Sequence, residues 1–336
     1  MPLRPAFPVL LAVLILVSAP SGTVTAQCCA AGNPISSDGS PGGTGKQMFE
    51  ISLLYQYSYS SVYYEGSHRT DYKYIDYSYF DFASVRLSYG FTNRLKVRTE
   101  IGYFFDKAQS FEFGYDRKAY GFGDLIIGAQ YDVYRNVSLE LDIFPFADFT
   151  IPVGKFDQMN GPVILPIDIQ PSSGSFKYSF GLLISKRFFS GKMAVFLSSN
   201  MEISQRINTD RTNYKYGNLY NVSLYGSYTF LKNFTGALQV RTMVRARASD
   251  AEKQLVNATG GTYIFLVPQV RYTFFRFWSI GFQFEYPVYK YVNGRQLTND
   301  YALSVRFSRT LDFGRKVLRN KPTIPVQHDP FPVTEP

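Results

Sequence analysis

The chain has 336 residues, 45% of them hydrophobic and 17% aromatic, with 27 Tyr and 30 Phe against one Trp. Its formal net charge of +9 is spread along the sequence, without the clustering of a nucleic-acid site, so nucleic acid is not an expected partner. No stretch beyond the first 26 residues approaches the roughly 20 continuous apolar residues of a transmembrane helix, which argues against a helical anchor.

Residues 1–26 read as a cleaved signal peptide. Arg4 precedes an apolar run from Val9 to Val17, and Val24-Thr25-Ala26 forms a small-residue cleavage site. The chain is therefore expected to be exported. Cys28 and Cys29 follow at once and have no distant cysteine to pair with. A lipoprotein would acylate Cys28, but Gln27 stands where such sites carry Ala, Gly or Ser. Two adjacent thiols without a nearby His supply too few ligands for a metal. No metal and no cofactor is expected. Gly and Ser dominate 36–45, so 27–46 reads as a flexible lead-in.

From residue 47 to 313 apolar and polar residues alternate in twelve stretches: 47–59, 77–90, 94–105, 123–134, 137–149, 175–187, 192–204, 217–230, 234–246, 261–275, 278–289 and 300–313. A period of two marks a strand with one apolar and one polar face. The joins fall into two classes. Phe91-Thr92-Asn93, Arg135-Asn136, Ser190-Gly191, Leu231-Lys232-Asn233 and Phe277 mark hairpin turns. Between them lie the longer joins 60–76, 106–122, 150–174, 205–216, 247–260 and 290–299. The pattern predicts an all-β fold: a closed antiparallel transmembrane β-barrel of about twelve strands, with short periplasmic turns and longer extracellular loops. Closure follows from the solvent, since a bare strand edge finds no water in lipid. A secreted sandwich is the alternative, but it accounts neither for the two turn lengths nor for the aromatic content. The expected location is the Gram-negative outer membrane, with lipid and the barrel-assembly machinery as partners.

Parity divides each strand into two faces. Leu139, Leu141 and Ile143 are predicted to meet lipid, with Glu140 and Asp142 inward; Ile280, Phe282, Phe284 and Tyr286 face out, with Glu285 inward. The same reasoning puts Arg86, Lys96, Arg98, Glu100, Glu202, Arg241, Arg245, Arg271 and Arg306 in the lumen. On the lipid face such charges cost about 2–4 kcal/mol each near the bilayer midplane. Two readings of the lumen stay open. It is a water-filled path whose charges tune the passage of small solutes, or its two signs pair into a network that closes a structural or adhesin-type barrel. An outer-membrane hydrolase is the least favoured third reading: catalysis needs a base beside a nucleophile, and the two histidines are His68, next to Ser67 in the first long join, and His328 in the tail. No enzymatic activity is expected. The nine tyrosines between Tyr55 and Tyr79 form either a stacking platform for ring-bearing solutes or an upper aromatic girdle.

The last predicted strand ends Phe307-Ser308-Arg309-Thr310-Leu311-Asp312-Phe313, so Leu311 and Phe313 resemble a terminal-strand assembly signal. Residues 314–336 hold five prolines, which cannot join a ladder, and read as a disordered periplasmic tail.

Three further segments carry a resemblance. Tyr120-Gly121-Phe122-Gly123-Asp124 runs into Leu125-Ile126-Ile127, Ile151-Pro152-Val153-Gly154 follows the next strand, and Ser172-Ser173-Gly174-Ser175 opens the one after. A glycine-bounded Gly-Asp, a Pro-x-Gly and a Gly-Ser stretch in this order resemble the outer-membrane barrels grouped with the meta-pathway phenol-degradation proteins, relatives of the long-chain fatty-acid channels. The match covers about residues 120–190, with Gly121, Gly123, Asp124, Pro152 and Gly154 as its motif positions. Ile151 stands where leucine is usual, and the short segment before strand one does not provide the fatty-acid channel's plug. The resemblance implies uptake of small hydrophobic or aromatic compounds.

Overall fold

The computed structural model describes residues 45–112, 114, 116–275 and 277–314. The expected signal peptide, Cys28, Cys29, nearly all of the lead-in and the tail from 315 lie outside them. No described residue is in an α-helix.

Eleven strands close a single antiparallel ring: β1 Met48–Gly66, β2 Tyr77–Gly90, β3 Leu95–Ser110, β4 Leu125–Tyr131, β5 Leu141–Ile151, β6 Lys177–Phe188, β7 Met193–Ser204, β8 Leu219–Phe230, β9 Phe234–Arg245, β10 Gly261–Phe274 and β11 Trp278–Asp312. Each pairs with its neighbours in sequence, and β11 returns to β1 with Met48 opposite Asp312 and Tyr59 opposite Tyr301. Three short segments extend the wall: His68–Thr70 on β1, Asp116–Phe122 on β3 and Tyr134–Asn136 on β5.

The ring has eleven strands, not twelve, because the last two predicted strands are one continuous element. Residues 290–299, read from the sequence as a loop, carry strand pairing on both sides of a tight fold-back, 290–292 with β10 and 295–299 with β1. The N-terminal half of β11 pairs with β10 and its C-terminal half with β1. The halves lie side by side: the Trp278 ring is 5.1 Å from that of Phe307, and Lys290 Nζ donates to Thr298 Oγ1 at 3.1 Å. Only Gly294, at φ +67°, marks the fold-back. The expected fifth strand also starts late. Residues 137–140 are a turn in which Leu139 N donates to the Asn136 side chain at 2.8 Å. Asn favours such self-capped turns.

Alternation fixes the two faces. Leu53, Val85, Ile127, Leu197, Leu224, Leu238 and Leu303 are exposed on the outer wall. Ser52, Ser84, Arg86, Glu100, Gln239, Arg241 and Ser304 are buried on the inner one. A barrel that hides its polar side chains and presents its leucines has lipid, not water, outside. The tyrosines of β1 and β2 belong mainly to this wall, where Tyr59 stacks on Tyr77 at 6.0 Å and on Tyr301 at 5.7 Å. Tyr63 and Tyr64 differ: Tyr63 is buried with Ile75, Phe111 and Leu297, and Tyr64 packs against Tyr263, Phe265, Val267 and Val292.

Leu224 sits in register between Leu197 and Val240 on the outer wall. Leu224→Arg is expected to destabilise the barrel by about 2–4 kcal/mol in a bilayer, whereas Ser223→Gln, one residue away on the inner face, is expected to be nearly neutral. Urea unfolding in lipid vesicles distinguishes the two.

Candidate functional site

The lumen is lined by charges that the strand register sets opposite one another. Arg86 on β2 pairs directly with Glu100 on β3; its Nη2 lies 2.6 Å from Glu100 Oε2, and Ser84 Oγ donates to the other carboxylate oxygen at 2.8 Å. Arg98, Gly128 and Asp148 occupy one row across β3, β4 and β5. The Arg98 guanidinium reaches over Gly128 to make three hydrogen bonds to Asp148, at 3.0, 2.8 and 2.7 Å. A Cβ on Gly128 would overlap the Asp148 carboxylate, so this bridge requires glycine beneath it. Arg241, 2% exposed, lies 2.6 Å from Glu285 and over the Phe265 ring. Lys177 and Glu202 are 3.9 Å apart. Nearer the turn rim, Asp142 lies between Arg135 at 3.7 Å and Arg187 at 2.5 Å.

Below these pairs a cavity of about 380 Å³ reaches the turn rim at Met48, Thr310 and Phe277. Lys96, Arg271 and Arg306 line it with Glu50, Gln130, Gln269 and Gln283. Beside it an inward apolar cluster brings together Phe144, Leu183, Phe196 and Tyr225. Arg245 is half-buried at the opposite end of β9, level with Gly261. Glu140 does not join the lumen row. It belongs to the 137–140 turn, with a left-handed φ of 49°, because the Asn136 cap ends the expected strand early.

The long connection 152–176 packs against β3 and the segment 116–124. Two side chains of β3 hold it: Lys107 Nζ donates to Gln170 O at 2.9 Å, and Gln109 Nε2 donates to Asp168 at 2.8 Å. Burial raises the Asp168 carboxyl above its ordinary pKa, against the opposing pull of the Gln109 hydrogen bond and of Lys107. Leu165 and Ile169 pack on Ala119, and Gln170 Nε2 ties the segment to itself through Leu165 O and Gln158 O.

The motif residues meet here. Gly123 N donates to Gly102 O at 2.8 Å where the wall steps from Asp116–Phe122 to β4. Asp124 then accepts from Ser172 Oγ at 2.6 Å, Ser173 N at 3.0 Å and Ser173 Oγ at 2.5 Å. The Gly-Asp and Gly-Ser stretches are thus two halves of one clasp. After Pro152, Gly154 presses on the backbone carbonyl of Phe122, where a Cβ would have no room. Gln158 completes the open edge of Asp116–Phe122: its side chain accepts from Tyr120 N and donates to Tyr120 O.

The sequence reading placed no role on Asp148, Lys107, Gln109, Gln158 or Gln170. Asp148 carried a legible signal, since it has the same parity as Asp142 in an apolar strand. The others act on a loop whose path no periodicity shows. Leu311 stands opposite Phe49 on β1, and the Phe313 ring lies 6.4 Å from that of Phe49.

Among solved structures, an outer membrane channel from Pseudomonas putida F1 is similar with a TM-score of 0.67 and 15% identity, over 81% of this chain and 99% of that one. At that identity the likeness is one of fold. The NanC porin aligns at a TM-score of 0.45 and 12% identity, over 78% of this chain and 100% of that one. The translocator domain of autotransporter NalP from Neisseria meningitidis aligns at 0.45 and 8%, over 79% and 88%. Among curated proteins nothing matches. The family model described as "Putative MetA-pathway of phenol degradation" matches residues 51–274, two-thirds of the chain. The chain therefore belongs to that family, as a porin-like transmembrane β-barrel of the outer membrane.

Proposed function

We propose that the barrel is an outer-membrane channel for small solutes, hydrophobic or aromatic compounds among them. The observation that carries this reading is the cavity of about 380 Å³ lined by Lys96, Arg271 and Arg306, which reaches the turn rim and is bounded by Leu183 and Tyr225, the near side of the cluster with Phe144 and Phe196. Basic side chains beside ring-bearing ones suit a solute with an apolar body and a polar or anionic end. The family's description, which names phenol degradation, fits such a cargo. In this reading the short turns and both ends of the barrel face the periplasm, the connection 152–176 narrows the extracellular half, and the barrel does no chemistry. His68 lies exposed in the short segment paired to the tip of β1.

A closed structural barrel is the second reading. The inward pairs Arg86–Glu100, Arg98–Asp148 and Arg241–Glu285 favour it, because they fill part of the lumen. Liposome swelling separates the two. Vesicles containing the purified barrel are expected to admit benzoate and phenol faster than protein-free vesicles, and to exclude a tetrasaccharide. Swelling no faster than in protein-free vesicles would favour the closed barrel.

We also propose that Leu311 and Phe313 form the signal read by the barrel-assembly machinery. Deleting 315–336 is expected to leave heat-modifiable barrel in the outer membrane, and L311S/F313S to reduce it severalfold. Immunoblots of outer-membrane fractions run with and without boiling measure both.

A further inference from the structure

Four connections at the turn rim carry a large apolar side chain at their tip, in the positions where a hairpin ordinarily places Asn or Gly. Phe91 is 55% exposed, Phe189 72%, Leu231 78% and Phe275 85%. Three of the four also have left-handed backbone, with φ of 54° at Phe189, 50° at Leu231 and 45° at Phe275. Bulky L-residues avoid that region. All four side chains are thus unfavourable in water and three of them also in their own backbone, a cost that something else must offset.

Their surroundings show what does. The Phe91 ring packs edge-on against Tyr89 at 4.8 Å and the Phe275 ring against Phe274 at 5.7 Å. Tyr89 and Phe274 belong to the outer wall, and Phe274 continues through Trp278 to Phe307 as a band of rings. The tips therefore extend the lipid-facing girdle past the last strand residues. Exposed basic residues stand in the same connections: Arg94 beside Phe91, Lys192 beside Phe189 and Lys232 beside Leu231. An apolar tip with a cation one to three residues away matches the two layers of an anionic phospholipid, acyl chain and phosphate.

We propose that this rim is a collar that binds phospholipids with anionic headgroups, the apolar tips entering the acyl layer while Arg94, Lys192 and Lys232 hold the phosphates. The collar does not depend on whether the lumen conducts, and its test does not read conductance. The test uses the purified full chain reconstituted with phosphatidylethanolamine and phosphatidylglycerol at 3:1, released into detergent, and analysed for co-retained lipid by native mass spectrometry, with thermal unfolding measured in detergent. Wild type is expected to retain phosphatidylglycerol above its share. The triple variant R94Q/K192Q/K232Q is expected to lose that preference about tenfold. The triple variant F189N/L231N/F275N is expected to retain less lipid of both kinds and to unfold in detergent at the same or a higher temperature, because Asn tolerates the left-handed backbone. Two results would overturn the proposal. One is lipid retention by either triple variant equal to wild type; the other is a detergent melting temperature lowered by the Asn variant, which would assign the tips to packing within the protein.

Discussion

Asp124→Ala is expected to raise single-channel conductance severalfold and to expose 152–176 to protease, with the barrel itself still resistant to heat in detergent. The carboxylate holds the segment through three hydrogen bonds, from Ser172 Oγ, Ser173 N and Ser173 Oγ. Hydrogen bonds to a charged group contribute about 1.5–3 kcal/mol each. Their joint loss frees the 172–173 end, leaving the segment on the two bonds from Lys107 and Gln109, the Gln158–Tyr120 pair and the packing of Leu165 and Ile169 on Ala119. Asp124→Asn keeps the shape but loses the charge, so its effect falls between. The wall is spared because Asp124 precedes β4 and none of the three bonds is part of the strand ladder. Limited proteolysis followed by mass spectrometry reads the release of the segment. Barrel loss in place of loop release would show that the clasp serves folding.

Asp148→Ala is expected to destabilise the barrel by about 1.5–3 kcal/mol, the scale of charge-assisted hydrogen bonds between partly buried groups. Arg98 points inward from β3 and makes three hydrogen bonds to that one carboxylate. Its guanidinium also lies 5.6 Å from the Phe146 ring. The double variant R98M/D148L removes both charges and is expected to recover most of the loss. Gly128→Ala tests the same bridge without touching a charge, since the added methyl occupies the space of the Asp148 carboxylate. Urea unfolding of the folded protein in detergent, followed by the shift between folded and unfolded mobility, ranks the three.

The wall was legible because a period of two survives in every strand that lipid covers on one side. Leu53, Val85 and Leu303 meet lipid, and their neighbours Ser52, Arg86 and Ser304 meet the lumen; an error of one residue would bury leucine and expose arginine. Where lipid stops the rule weakens. Residues 290–299 carry tyrosine and polar side chains without strict alternation, and their ladder runs on because each half of β11 has a partner strand, so they read as a loop although they are strand. The turn at 137–140 was hidden for the opposite reason. Its Val137 and Leu139 alternate with polar residues as a strand would, and the Asn136 cap overrides the pattern. In the lumen, parity brought out Arg98 and Glu100, yet it could not say that Arg98 bridges to Asp148 over Gly128, which depends on register between three strands. The clasp was visible as motif residues only. That Asp124 meets Ser172 and Ser173, 48 and 49 positions away, is a fact of how 152–176 folds back, and a loop without periodicity does not announce its path.

A lumen that is a water-filled path narrowed by 152–176 conducts ions. Single-channel recording of the full-length barrel in a planar bilayer tests it most directly. Discrete conductance steps are expected for wild type, larger steps for Asp124→Ala, and a shift toward cation selectivity when Arg271 and Arg306, which line the cavity, are both replaced by Glu. Folded, heat-modifiable protein that gives no steps, with or without the Asp124→Ala substitution, would contradict it.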